Sequence, residues 1–217
     1  MTWEPEIEEI QRRVAFAREM GGPENVERQH ANGKLTIRER IDGLVDAGSF
    51  DETGVLAGRA EYDEAGNVVS VRPANFVMGF ARIDGRRVVV GGDDFTVRGG
   101  AADASIGGKQ IYAEKMARET RMPIVRFVDG TGGGGSVRTL IEDPHGGGNT
   151  GRKAAGYTYV PANPGWDTIV AMLNEVPVVS AALGSVAGLG AARAVTCHWN
   201  IMVKDTSQIF VAGPPVV

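Results

Sequence analysis

The chain has 217 residues, 31 of them glycine, about twice the usual glycine share of about 7%. Hydrophobic residues at 42% and charged residues at 23% exclude a disordered chain, and the glycines carry no three-residue period, which excludes a collagen-like rod. With 23 basic against 27 acidic side chains, the net charge of −4 gives no global attraction to nucleic acid, although a local basic patch can still hold phosphates.

Residues 6–20 place Ile7, Ile10, Val14 and Ala17 on one helical stripe, which Gly21-Gly22-Pro23 stops. Thr36-Ile37-Arg38-Glu39 is a capping-box pattern and predicts a helix with Ile37, Ile41, Leu44 and Val45 inward, ended by Gly48. Residues 53–60 and 68–90 read as strands. Within them, residues 77–83 and 86–90 flank Asp84-Gly85, a strong hairpin signal. From Gly91 strands and helices alternate. A glycine-rich loop to Ala101 leads into a helix at about 103–121, with Ile106, Gln110, Ala113, Met116 and Ala117 along one side, and then into a buried strand at 124–129. The polyglycine loop Gly130 to Gly135 and a long loop over 137–164 follow; loops of that length are commonly functional. A helix near 165–175, patterned by Trp166, Ile169, Val170 and Leu173, precedes a strand at 178–183. A loop from Gly184 to Gly188, a small-residue helix to about Thr196, and strands at 200–204 and 208–212 complete the chain. This order predicts an α/β fold with mostly parallel strands. The abrupt finish after the last strand points to a boundary set by truncation.

Conventional catalytic motifs are scarce. Gly130-x-Gly132-x-x-Gly135 matches the dinucleotide fingerprint only as any run of glycines does, because the helix and the distant acid it needs are missing. Gly146 to Gly151 with Arg152-Lys153 lacks the Lys-Ser/Thr ending of a phosphate loop. Ser185 does not make a nucleophile elbow, and Cys197 and His198 point in different directions as chain neighbours. Ala113-Glu114-Lys115-Met116 brushes a biotin-attachment motif but lies in a helical pattern, so Lys115 reads as a solvated lysine. The single cysteine cannot form an internal disulfide, and no Cys/His set has zinc spacing, so no metal is expected. No targeting segment and no apolar run of about 18–20 residues is present, and a cytoplasmic protein is expected. The positive signal lies in two loops, 129–136 and 184–192. Each leaves a buried strand and presents small residues whose backbone N–H groups can converge on a negative oxygen. An oxyanion hole of this kind needs no catalytic side chain. Tight turns and close helix packing explain the same glycines equally well.

Residues 28–41 (Arg28-Gln29-His30-Ala31-Asn32-Gly33-Lys34-Leu35-Thr36-Ile37-Arg38-Glu39-Arg40-Ile41), Gly48-Ser49-Phe50, Asp93 to Gly100 and Met202 to Pro214 resemble, in that order, blocks of the carboxyltransferase (β) subunit of biotin-dependent acyl-CoA carboxylases. The resemblance spans about 25–217 and covers the N-terminal half of such a subunit. It implies a crotonase-like spiral of ββα units over 51–217, an acyl-CoA-binding domain, preceded by a helical extension over 1–50. The C-terminal carboxyltransferase half is absent. The implied activity is carboxyl transfer from carboxybiotin to an acyl-CoA through a thioester enolate. Biotin would be carried on a separate protein or domain, and coenzyme A would be part of the substrate. A biotin carboxylase or biotin carrier subunit, the C-terminal half and further copies of the chain are the implied partners, with neither nucleic acid nor membrane among them. By position, one family glycine loop falls on Asp129 to Ser136 and gives Gly132, Gly133 and Gly134 as candidate oxyanion donors. The other falls on Gly184 to Leu189 and gives Gly188, Leu189 and Gly190, with leucine where the family's second glycine is usual. Gly99, Gly100, Ala101, Arg98, Lys109, Arg152 and Lys153 are candidates for holding coenzyme A. Residues 137–164 differ from the propionyl-CoA type. The alternatives are a non-catalytic CoA-binding or assembly module, and a crotonase-type hydratase, isomerase or decarboxylase.

Overall fold

A twisted central sheet organises the chain, whose structure, a computed structural model, describes residues 2–100, 108–130 and 164–211. Three helices come first: α1 (Glu4–Arg18), α2 (Pro23–Ala31) and α3 (Ile37–Leu44). Strands β1 (Asp51–Glu52), β2 (Gly58–Tyr62), β3 (Val68–Pro73), β4 (Phe76–Ile83) and β5 (Arg86–Asp93) follow. The alternating part holds α4 (Lys109–Thr120), β6 (Ile124–Val128), α5 (Pro164–Leu173), β7 (Val178–Ala182), β8 (Ser185–Ala187), α6 (Leu189–Val195), β9 (Trp199–Met202) and β10 (Gln208–Phe210). Among the described residues, one sheet has the order β1-β4-β5-β6-β7-β9, while β2 pairs with β3 and β8 with β10.

Side-chain alternation along β4 and β5 splits the core between the two sheet faces. Phe76, Met78 and Val89 join Ala113, Met116 and Ala117 of α4, together with Met172 and Val176. Val77, Ala81, Val88 and Val90 face Ile37 and Ile41 of α3. Thus α3, the last helix of the expected 1–50 extension, shares a core with the strands beyond residue 50. β5, β6, β7 and β9 run parallel, as the alternating pattern predicts, with Gly92, Phe127, Ala181 and Ile201 aligned in one row across the sheet. The β4–β5 hairpin turns at Asp84 and Gly85, both with positive φ (49° and 75°), as a right-twisted two-residue turn requires.

The structure differs from the expected elements in several places. Gly21-Gly22-Pro23 stops α1 but also begins α2, because proline at the first helical position has no N–H to waste. The Thr36–Glu39 capping box forms in both directions. However, α3 ends at Leu44 rather than at Gly48, since Val45 is already extended, and Leu44 is exposed. Of the α1 stripe only Ala17 is buried, while Ile7 and Ile10 face outward. In α5 it is Met172, with Ile169, that enters the core, and Val170 is exposed. The turn expected between β7 and α6 contains β8, a short strand visible only through its pairing with β10.

Candidate functional site

The carboxyl ends of β5, β6 and β7 lie side by side, which is where open α/β sheets collect their ligands. What the sequence places at those ends is glycine and aspartate. A β-carbon on Gly100, which follows β5, would lie 2.6 Å from the Asp129 carbonyl oxygen. One on Gly130, which follows β6, would lie 2.9 Å from the Gly100 Cα. At Gly184, which follows β7, it would lie 1.9 Å from Asp129 Oδ1. Contacts this close admit hydrogen only, so glycine at these positions is a packing requirement of three converging loops.

Asp93 and Asp129 sit beneath these loops. The Asp129 N–H donates to Asp93 Oδ2 (3.2 Å), and Gln110 Nε2 donates to Asp93 Oδ1 (2.7 Å). Burial pushes the Asp93 carboxyl up to about 6, with the neighbouring Asp129 charge adding to the rise. A small cavity of about 20 Å³ lies here, lined by Asp93, Gly100, Gln110, Glu114, Arg193 and Gly190 among others, with room for about one water. It brings Gly100 and Gly190, expected to serve different functions, into the lining of one space.

Helix α6 presents Leu189 and Gly190 as its first two residues, and an α-helix leaves its first amides without internal partners. Gly188 differs: its N–H donates to the carbonyls of Phe210 (3.3 Å) and Val211 (3.1 Å) in this structure, beside the β8–β10 pair. The other end of α6 is fixed by Arg126, a buried residue of β6. Its guanidinium donates to the carbonyls of Arg193 and Thr196, to Ser180 Oγ and to Glu114 Oε1. Arg193 contacts the same Glu114 oxygen at 3.2 Å. Burial raises the Glu114 carboxyl and lowers the Arg126 guanidinium in pKa, each offset by the other's charge.

A second cleft, of about 460 Å³, opens beside the Arg98–Gly100 turn, lined by Arg28, Gln29, Asn32, Phe95, Arg98 and Gly99 among others. It joins Arg98 and Gly99, read from the sequence, to Arg28 and Phe95, which sequence reasoning missed. Arg28 belongs to α2, a helix the glycine-proline stop concealed, so no periodic signal marked it as facing a cleft. Lys34 lies with its ammonium 5.3 Å from the centre of the Phe95 ring. Lys109 is placed elsewhere. Its side chain is buried and its Nζ donates to the Gly54 carbonyl (2.9 Å), with burial lowering its pKa. In this structure Lys109 thus bonds to the loop that follows β1, apart from the residues that line the cleft. Gly132, Gly133, Gly134, Ala101, Arg152 and Lys153 lie outside the described residues.

Both histidines among the described residues have structural partners. His198 Nδ1 accepts from the Val178 N–H, and its Nε2 lies 3.0 Å from the Leu173 carbonyl. His30 pairs with Glu39, holding that carboxyl down at about 2 together with the Thr36 N–H. Among the described residues no group of three or more His, Cys, Asp or Glu side chains is arranged to hold a metal, and no helix is long and apolar enough to cross a membrane.

Comparison with known proteins gives a consistent result. Residues 28–217 match the model of the carboxyl transferase domain. The chain is 32% identical over 213 residues to the propionyl-CoA carboxylase beta chain of Roseobacter denitrificans, covering 97% of this chain and 38% of that protein. It is 28% identical over 216 residues to the methylmalonyl-CoA decarboxylase subunit alpha of Veillonella parvula, covering 100% and 39%. Among solved structures, transcarboxylase 12S with methylmalonyl-coenzyme A and methylmalonic acid bound superposes with a TM-score of 0.73 at 26% identity, over 100% of this chain and 39% of that one. A single-chain, multi-domain long-chain acyl-CoA carboxylase gives 0.72 at 27% identity, over 96% and 20%. The chain thus spans about two fifths of the length of these curated relatives, and its fold is the crotonase-like α/β fold that the resemblance implied. On the match over 28–217, the chain belongs to the carboxyl transferase domain family.

Proposed function

We propose that this chain is the acyl-CoA-binding half of a carboxyltransferase, acting in carboxyl transfer between a biotin carrier and the carbon next to a thioester, or its vinylogous position. The carrying observation is the convergence of the β5, β6 and β7 ends on glycine, with the α6 N-terminus and a cationic cleft beside them. Each part has a task in that chemistry. The Leu189 and Gly190 amides are positioned to stabilise negative charge growing on a thioester oxygen, and a donor of this kind is worth about 3 kcal/mol in the transition state. Gly132, Gly133 and Gly134 are assigned as further amide donors to the same oxygen. Arg28 and Arg98 suit the phosphates of coenzyme A, because guanidinium groups match phosphate oxygens in pairs. The Phe95 ring offers a face for a base, and Gly99 lets the ligand approach the backbone. Arg152, Lys153 and Ala101 extend the same coenzyme A site.

Biotin, held on a partner, supplies the carboxyl group and the base when bound. None of the described residues is assigned to it, and this chain's own part is binding, orientation and charge stabilisation. That division accounts for the absence of a catalytic triad in the sequence. We place the enzyme in the cytoplasm as an oligomer, working with a biotin carboxylase, its carrier and the C-terminal carboxyltransferase half.

The test uses the full-length protein with biotin carboxylase, biotinylated carrier, ATP, labelled bicarbonate and a panel of acyl-CoAs. Label is expected in an acid-stable acyl-CoA product. Arg98→Ala should raise KM for the acyl-CoA about tenfold, the loss of about one charge-assisted contact. Absence of labelled product across the panel, with carrier carboxylation verified separately, would overturn the proposal.

A further inference from the structure

Asp129, which directly follows β6, touches all three loops of the site. Its N–H donates to Asp93 Oδ2, its carbonyl oxygen packs on Gly100, and its carboxylate packs on Gly184. The residue is fully buried, and neither carboxylate oxygen has a hydrogen-bond partner of good geometry among the described residues. Its compensation is ionic. Arg40 Nη2 stands 2.7 Å from Oδ2, and Lys34 Nζ 3.6 Å from Oδ1. Both cations flank the start of α3, which the Thr36–Glu39 capping box fixes, and Arg40 is itself almost fully buried. A buried carboxylate held this way is poor evidence of added stability, since apolar side chains of similar volume serve folding as well. Its location gives it a different use.

We propose that Asp129, held by Arg40 and Lys34, is a positioning residue for the carboxyl transfer: the cluster locks Gly100, Gly130 and Gly184, at the ends of β5, β6 and β7, against α3, and so sets the distance between the α6 amides and the cleft. This rests on the proposed function. Gly184 is part of the device, because any larger residue would occupy the space of Asp129 Oδ1 and crowd the Lys34 ammonium. Lys34 also stacks on Phe95, so the same cluster anchors one wall of the cleft.

The experiment compares wild type, Asp129→Asn, Arg40→Met, the double variant Asp129→Asn/Arg40→Met, and Arg40→Lys in the full-length protein with its partners, measuring kcat, acyl-CoA KM and thermal midpoint. Loss of the lock misplaces donors without removing any ligand contact, so Asp129→Asn and Arg40→Met should each lower kcat about 10- to 100-fold with KM within about threefold. The double variant should be no slower than either single one, because the two groups act as a pair. Arg40→Lys keeps the charge and should recover kcat to within about tenfold of wild type while remaining measurably slower. Folded Asp129→Asn and Arg40→Met proteins with kcat within twofold of wild type, or a loss confined to KM, would overturn the role. Should those two fail to fold, Arg40→Lys decides: wild-type kcat in that variant overturns the proposal. An inactive wild type would overturn the underlying functional reading and this role with it, whereas an active wild type with unaffected variants overturns this role alone.

Discussion

Replacing Asp93 with asparagine should stabilise the protein at neutral pH and remove a pH dependence that wild type carries. The carboxyl is fully enclosed and titrates at about 6 rather than at its ordinary 3.8, chiefly because burial disfavours its charged form. Between about pH 4 and pH 6 the unfolded chain has released this proton while the folded chain keeps it. Stability from this group therefore falls as pH rises through that window and stays low above it. The rise corresponds to about 3 kcal/mol at neutral pH. Asparagine carries no charge and can keep both contacts, its oxygen accepting the Asp129 N–H and its amide group meeting Gln110 once that side chain rotates. Urea unfolding of both proteins from pH 4.5 to 7.5 is the assay. The variant is expected to gain about 2–3 kcal/mol over wild type at pH 7.5, shrinking toward pH 4.5. Parallel profiles, or a variant less stable at every pH, would refute the assignment of an enclosed carboxylate at Asp93 whose burial outweighs its hydrogen bonds.

Two further outcomes follow from contacts already described. Thr36→Ala removes one arm of the capping box at α3 and should cost about 1 kcal/mol in chemical denaturation. Glu114→Gln leaves the Arg126 and Arg193 guanidinium groups facing each other without their shared carboxylate. That should cost about 3–5 kcal/mol, read by calorimetry, as expected when a buried ion pair loses one partner.

The strands that line the core were readable because their composition and boundaries agree. Val88 to Val90 is an apolar run and Ile124 to Val128 is apolar but for Arg126, each closed by glycine or aspartate, and Asp84-Gly85 fixes one hairpin register. The capping box likewise announced α3. The site was legible as a set of glycines but not as a geometry. Nothing local in the sequence shows that Gly100 and Gly130 press on each other, or that Gly188 spends its amide on Phe210 and Val211. Lys109 was legible as a cation near the glycine-rich loop, whereas its bond to Gly54 depends on tertiary packing. Arg126 gave no signal at all. A charged residue inside an apolar strand became intelligible once α6 placed the carbonyls of Arg193 and Thr196 over it. Asp129 was noted as a loop's first residue, yet its partners Arg40 and Lys34 lie about ninety residues upstream.

The aligned row Gly92, Phe127, Ala181 and Ile201 constrains how such a protein can change over evolutionary time. One residue inserted into β6 would carry Asp129 forward by about 3.3 Å and turn its side chain to the opposite sheet face. It would leave Arg40 and Gly184 behind. The lengths of β5, β6 and β7 are therefore coupled to one another, and length variation among descendants of this sequence should be rare within these three strands.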